Sequence, residues 1–134
     1  MENPTYKIMI VDDDTFLLNM YSMKFGKNGF SAETSQSGEE ALKKLKEGFV
    51  PNVMLVDVIM PGMDGLEFLE HVRKENLASN ATVIMLTNQS DTADIEKAKS
   101  LKVNGYIVKA TTVPSEVINE VARIHEEVRK SQTK

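Results

Sequence analysis

Residues 53–65, VMLVDVIMPGMDG, run four apolar residues into an aspartate, then a turn-forming Met-Pro-Gly, then Asp64-Gly65 at the head of a helical pattern. Val53 to Val56 is apolar at both alternating positions, as a strand must be when both faces of its sheet are covered. Pro61 fixes its own φ and has no N–H to give to a ladder, so Met60-Pro61-Gly62 reads as a turn. Asp64 and Glu67 then supply a capping acid and a first-turn acid for the next helix. The stretch is one strand-turn-helix unit, with Asp57 at the carboxyl end of a doubly buried strand.

The same unit recurs along the chain. Tyr6 to Val11, Ser31 to Thr34, Thr82 to Leu86 and Gly105 to Val108 are further β-rich runs separated by helix-like stretches. Thr82 to Leu86 is again apolar on both alternations and belongs beside Val53 to Val56 in the sheet centre. Ser37-Gly-Glu-Glu40 reads as a capping box for helix two, and Asp91 with Asp94 as the acids of helix four. Pro114 suits the first turn of helix five, whose Val117, Ile118, Val121, Ile124 and Val128 recur at helical spacing. Gly29, Gly48 and Asn104-Gly105 are expected to stop helices one, two and four. Strands alternating with helices imply a parallel sheet covered on both faces, here α/β, (βα)5, doubly wound and flavodoxin-like, most simply in the order 2-1-3-4-5.

At 134 residues the chain is expected to be a single domain over 1–134, with a core spanning about residues 5–130 and a frayed tail at 131–134. Sixteen basic against twenty acidic residues give a net charge of −4, and no cluster of Lys and Arg exceeds a pair. Direct nucleic-acid binding is therefore not expected. The absence of cysteine excludes disulfides, thiolate metal sites and a cysteine nucleophile, and fits a reducing cytoplasm. No apolar run is long enough to cross a bilayer and the N-terminus lacks a signal-like apolar segment, so no membrane partner is expected and the expected location is cytoplasmic.

In a doubly wound sheet, ligands bind outside the carboxyl ends of the strands at the point where strand order reverses, here between strands one and three. Strand one ends in Asp12-Asp13-Asp14, strand three in Asp57, strand four in Thr87 and strand five in Lys109. Neighbouring strands lie about 4.8 Å apart, so these groups converge. Clustered carboxylates repel one another and need protonation or a cation. Asp12, Asp13 and Asp57 offer hard oxygen ligands, which points to Mg²⁺. Asp14 is expected to cap helix one. The Lys109 ammonium, the Thr87 hydroxyl and a metal suit the oxygens of a phosphoryl group, and a carboxylate so placed can act as a nucleophile and form an acyl phosphate.

The stretches IMIVDDD, VMLVDVIMPGMDGLEFL, VIMLTNQSD and VNGYIVKA resemble the receiver domains of two-component response regulators, of the CheY-like, stand-alone type, and the likeness spans essentially the whole chain. It implies Asp57 as phosphoacceptor. It implies Asp13 and Asp57 as direct Mg²⁺ ligands with the backbone carbonyl of Ile59, and Asp12 acting mainly through water. Thr87 and Lys109 are then phosphate contacts, and Tyr106 the aromatic whose rotamer follows Thr87. A histidine kinase or histidine phosphotransfer protein is the implied donor, in a monomer or phosphorylation-dependent dimer. With no effector domain in the chain, output is expected through binding a downstream protein, and the helix four to helix five face, around Ala98, Lys102, Tyr106 and Pro114 onward, can bind either a target or another copy. Three positions depart from the family pattern: Ala110 stands where proline is common after the lysine, Asn88 where a small residue follows the threonine, and Ile59 is apolar. Ala110 is expected to leave the Lys109-Ala110 bond trans. Ile59, Asn88 and Gln89 are expected to tune access and dephosphorylation.

Three rival readings fit less of the sequence. A haloacid-dehalogenase-like phosphotransferase would use Asp12 as nucleophile in Asp12-x-Asp14, but Phe16 stands where Thr or Val is needed and no second acid pair follows the lysine. An FMN carrier would set its phosphate against three aspartates instead of a Ser/Thr/Gly cradle. A receiver-shaped module that is never phosphorylated would have no use for the intact Asp, Thr and Lys set. Met20, Met23, Met54, Met85 and Tyr21 are expected in the core, His71 and His125 on helices at the surface or partly buried, and Tyr6 as an edge residue.

Overall fold

The computed structural model describes residues 6–87, 92–109 and 112–132. Five strands, β1 (Tyr6–Val11), β2 (Phe30–Ser35), β3 (Val53–Asp57), β4 (Thr82–Thr87) and β5 (Gly105–Val108), alternate with α1 (Thr15–Gly26), α2 (Gly38–Lys46), α3 (Gly65–Lys74), α4 (Thr92–Ser100) and α5 (Pro114–Gln132). All pairings are parallel in one sheet of order β2-β1-β3-β4-β5, as the alternation implies. The register pairs Val11 with Val56, Asp57 with Leu86 and Thr87 with Val108, bringing the polar strand ends to a common edge.

Every residue of β3 and β4 is buried. One face of the sheet, with Met9, Met54, Val83 and Met85, packs under α2, α3 and α4; the other, with Ile8, Leu55, Ile84 and Leu86, packs under α1 and α5. Phe25 and Phe68 are fully enclosed on opposite faces. Removing a side chain of that size from water stabilises the fold by about 1.5–3 kcal/mol.

The caps form as read: Asp14, Ser37 and Asp64 accept from the N–H groups of Leu17, Glu40 and Glu67. Gly29 and Gly48 follow α1 and α2 with left-handed φ of 86° and 111°. Helix α4 ends earlier than expected, at Ser100, because Lys102 itself turns left-handed (φ 63°) while Gly105 opens β5. Gly105 is needed there for closeness: a Cβ would stand 2.6 Å from Cδ1 of Ile124.

Other expectations are corrected. Helix α5 runs through Gln132, into the stretch expected as a tail. Met23 is 58% exposed, because α1 buries the face of Leu18, Tyr21 and Phe25 and Met23 falls outside it. His71 is exposed, but His125 is buried and shares a 2.8 Å hydrogen bond with Thr82. Tyr6, expected as an edge residue at the first strand, opens β1 half-buried, its ring against Phe30 and His125 and beneath Arg129. Asp91 lies outside the described residues.

Candidate functional site

Asp12 follows β1, Asp57 closes β3 and Lys109 follows β5, and the parallel register delivers all three to one pocket. The Lys109 Nζ donates to Asp12 Oδ2 at 2.7 Å and to Asp57 Oδ2 at 3.2 Å. Asp12 and Asp57 are buried, at 1% and 4% exposure, while Asp13 is open to solvent. Ligand oxygens of Asp12, Asp13 and Asp57 lie within 4.8 Å of one another. Three carboxylates thus gather beside one ammonium, and the shortfall of positive charge shows in the acidity of Asp57. Burial, then the Asp12 charge, push the Asp57 carboxyl from 3.8 up to about 6 against the pull of Lys109. Burial alone would lower the Lys109 pKa, but its bond to Asp12 and the charges of both acids hold it above its ordinary value.

Local hydrogen bonds aim the acids. Asp12 Oδ1 accepts from Asp14 N–H at 2.9 Å, locking its carboxylate at the turn into α1. Asp57 Oδ1 lies 3.4 Å from Ile59 N–H, so one oxygen faces the loop and the other faces Lys109. These hard oxygen donors, with Asp13 reachable from solvent and no thiolate or imidazole among them, suit a small divalent cation.

Thr87 closes β4 at 1% exposure. Tyr106 stands on β5 two residues before Val108, the register partner of Thr87, so Thr87 and Tyr106 share a face of adjacent strands. The Tyr106 ring packs against the α2–α3–α4 side of the core with its hydroxyl enclosed. Ile59 is 60% exposed at the loop after β3. Asn88, Gln89 and Ala110, and with Ala110 the Lys109-Ala110 bond, lie outside the described residues.

Two contributors were not assigned from the sequence. A Cβ on Gly65 would stand 2.2 Å from the backbone oxygen of Asp57, so only glycine lets α3 start against the end of β3. The signal was a glycine in the first turn of a helix, where it is a poor helix former. Tyr21, expected as core filler, is buried and its phenol pKa is raised by burial first, with Lys109, Asp12, Asp57 and Asp14 all near enough to act on it. Its hydroxyl on an otherwise apolar helix face was the sign.

Acids at the switch point of a doubly wound sheet, with a lysine held between them, define a domain built to handle a small charged group at that edge. The family model for the response regulator receiver domain matches residues 8–122, and the chain belongs to that family. It is 38% identical over 97 residues to the transcriptional regulatory protein CpxR homolog of Haemophilus influenzae, covering 72% of this chain and 40% of that protein. It is 28% identical over 132 residues to the DNA-binding response regulator MtrA of Mycolicibacterium smegmatis, covering 98% of this chain and 54% of that one. The chain therefore spans about half the length of such relatives. Among solved structures, the chemotaxis protein CheY4 of Vibrio cholerae superposes with a TM-score of 0.81 at 28% identity, covering 90% of this chain and 98% of that one. As a receiver domain of two-component signalling it is a signalling protein, and the haloacid-dehalogenase and flavin readings are not favoured. Among the described residues no helix is long and apolar enough to cross a membrane.

Proposed function

We propose that the domain takes a phosphoryl group onto Asp57 from the phosphohistidine of a histidine kinase or histidine phosphotransfer protein, and signals by changing a protein-binding face. The observation that carries this reading is the Lys109 ammonium bridging Asp12 and Asp57 at the switch-point edge. An oxygen of Asp57 attacks phosphorus, the P–N bond breaks, and the imidazole leaves with the electron pair and takes up a proton. The product is an acyl phosphate. Asp57 is held for attack by the short loop to Ile59 and by Lys109, and Lys109 can exchange a carboxylate oxygen for a phosphoryl oxygen without leaving the pocket. Thr87, at the end of the adjacent strand, supplies a hydroxyl to the same group.

Asp13, Asp57 and the carbonyl of Ile59 would hold Mg²⁺, with Asp12 acting through water. When bound, the ion neutralises charge on the transferring oxygens. Ile59 excludes water from one side of the acyl phosphate and so lengthens its life. The proposed output face joins α4, β5 and α5, where a cleft of about 520 Å³ is lined by Tyr106, Val108, Glu116, Glu120 and Arg123. Two of the relatives are named as transcriptional or DNA-binding regulators; here the proposed direct partner of the domain is a protein.

Incubation with a phosphorylated histidine phosphotransfer protein and Mg²⁺, followed by peptide mass spectrometry after borohydride reduction, is expected to label Asp57. Label on Asp12, or undiminished labelling of Asp57→Asn, would overturn the reading.

A further inference from the structure

Helix α4 is thinly attached to the body of the domain. Among its described side chains only Ala98 is buried, whereas α3 buries Leu66, Phe68, Leu69 and Val72. Beside the turn that leaves α4 lies an open cleft of about 440 Å³, whose walls include Val72, Leu77, Ala81 and Leu101. Apolar packing there is incomplete, so polar ties carry more of the attachment.

Among the described residues, one such tie is Arg73, near the end of α3. Its Nε donates to the carbonyl of Leu101 at 2.9 Å and its Nη2 to the carbonyl of Lys102 at 3.1 Å. Two donors of one rigid guanidinium therefore hold two consecutive carbonyls just past the end of α4. A cation is favoured there by the helix dipole, and charge-assisted hydrogen bonds are the stronger kind. The chain meets this fork through the left-handed Lys102, while Lys102 N–H bonds to Lys99 and Val103 N–H to Ala98. A second tie from α3, Lys97 to Glu70 at 3.2 Å, joins two half-exposed side chains and is screened.

We infer that Arg73 is a positioning residue that pins the C-terminal end of α4 to α3, so that a change at Thr87 moves α4 about that fixed end. The pin itself needs only the contacts above; the motion about it rests on the proposed function. Neither end of the bridge contacts Asp12, Asp57 or Lys109 in the acid pocket, and no metal or phosphoryl ligand is involved.

Amide hydrogen exchange on the full chain, without added ligand, tests the pin. Arg73→Gln is expected to speed exchange across Ile95 to Val103 by about tenfold or more, with amides of β3, β4 and α5 changed by less than about twofold. Arg73→Lys keeps the charge but not the fork, and is expected to show the same local pattern at smaller amplitude. Lys97→Gln is expected to change little. Acceleration spread evenly over all elements, failure of Arg73→Gln to fold, or no local change would overturn the assignment.

Beryllofluoride with Mg²⁺ tests the pivot. In the parent, NMR shift changes are expected to fall from Ala93 toward Ser100, and in Arg73→Gln to extend through Lys102. Equal response at both ends of α4 in the parent overturns the pivot. A parent that does not respond to beryllofluoride at all contradicts the proposed function, while the exchange data still decide the pin.

Discussion

Replacing Asp57 by asparagine is expected to stabilise the metal-free domain. The substitution keeps the shape and removes one of the two carboxylates that share Lys109. Two effects oppose: loss of the 3.2 Å contact with Lys109 destabilises, while relief of burial and of repulsion from Asp12 stabilises. Burial and Asp12 are the larger influences, since together they outweigh Lys109 and raise the carboxyl from 3.8 to about 6. At about 1.4 kcal/mol for each tenfold change in proton affinity, ionising Asp57 at pH 7.5 costs on the order of 3 kcal/mol at most. Solvent at the mouth of the pocket, where Asp13 is exposed, screens this to roughly 1–3 kcal/mol. The sign follows from proton uptake. Between pH 3.8 and about 6 the folded protein keeps the proton that the unfolded chain has lost, so this group's contribution to stability falls as pH rises through that window. Urea unfolding in EDTA is expected to give Asp57→Asn a higher midpoint at pH 7.5, and an advantage that shrinks toward pH 4. Adding Mg²⁺ to 100 times its dissociation constant is expected to stabilise the parent by about 2.7 kcal/mol and the variant far less. A variant less stable than the parent at pH 7.5 in EDTA would refute the charge argument.

At the opposite edge of the sheet, His125 is buried against Thr82 and Tyr6 with Arg129 and Glu126 on its own helix. Burial first, then Arg129, lower its pKa below 6.5, against Glu126. The folded state resists protonation that the unfolded chain accepts, so stability is expected to fall as pH drops below about 6.5. The parent should lose more than His125→Gln between pH 7.5 and 5.5 in matched urea titrations; equal losses would count against it. Gly65→Ala is expected to cost at least about 2 kcal/mol in chemical unfolding and to weaken Mg²⁺ binding by calorimetry, because its Cβ meets the Asp57 backbone instead of a movable side chain. Thr87→Ala is expected to accept phosphate yet lose most NMR shift changes in α4 and β5, and a parent-like response would break the link to Tyr106. Ile59→Asn is expected to speed decay of the phosphorylated protein several-fold, about 1 kcal/mol in barrier, and an unchanged rate would mean that the exposed Ile59 does not govern water.

The pattern of strands and helices was legible wherever the controlling interactions are local. Double-sided apolarity identified β3 and β4, and the capping residues of α1, α2 and α3 declared those starts within three or four residues. The candidate site was legible in outline, because parallel strands must end at one edge and each of four strands carries a polar group there. Reading failed where local signals compete. Asn104-Gly105 is a good helix stop, but Asn104 instead bonds its side chain to Val83 N–H and leads into β5, leaving Lys102 to end α4. Met23 has a core-like side chain, yet the face that α1 buries is chosen by its neighbours.

Sequence alone determined the order of elements, the doubly wound parallel architecture and the placement of Asp12, Asp13, Asp57, Thr87 and Lys109 at the carboxyl edge. These follow from periodicity, backbone sterics and capping, which act over a few residues. Only the tertiary structure decided that Lys109 closes on Asp12, 97 residues away, and that Gly65 is required against the Asp57 carbonyl. It also decided that Arg73 reaches 28 residues ahead to hold Leu101, and that His125 is buried on Thr82. Such contacts depend on how packed layers meet, to within about an ångström, and no local rule of side-chain pattern carries that distance.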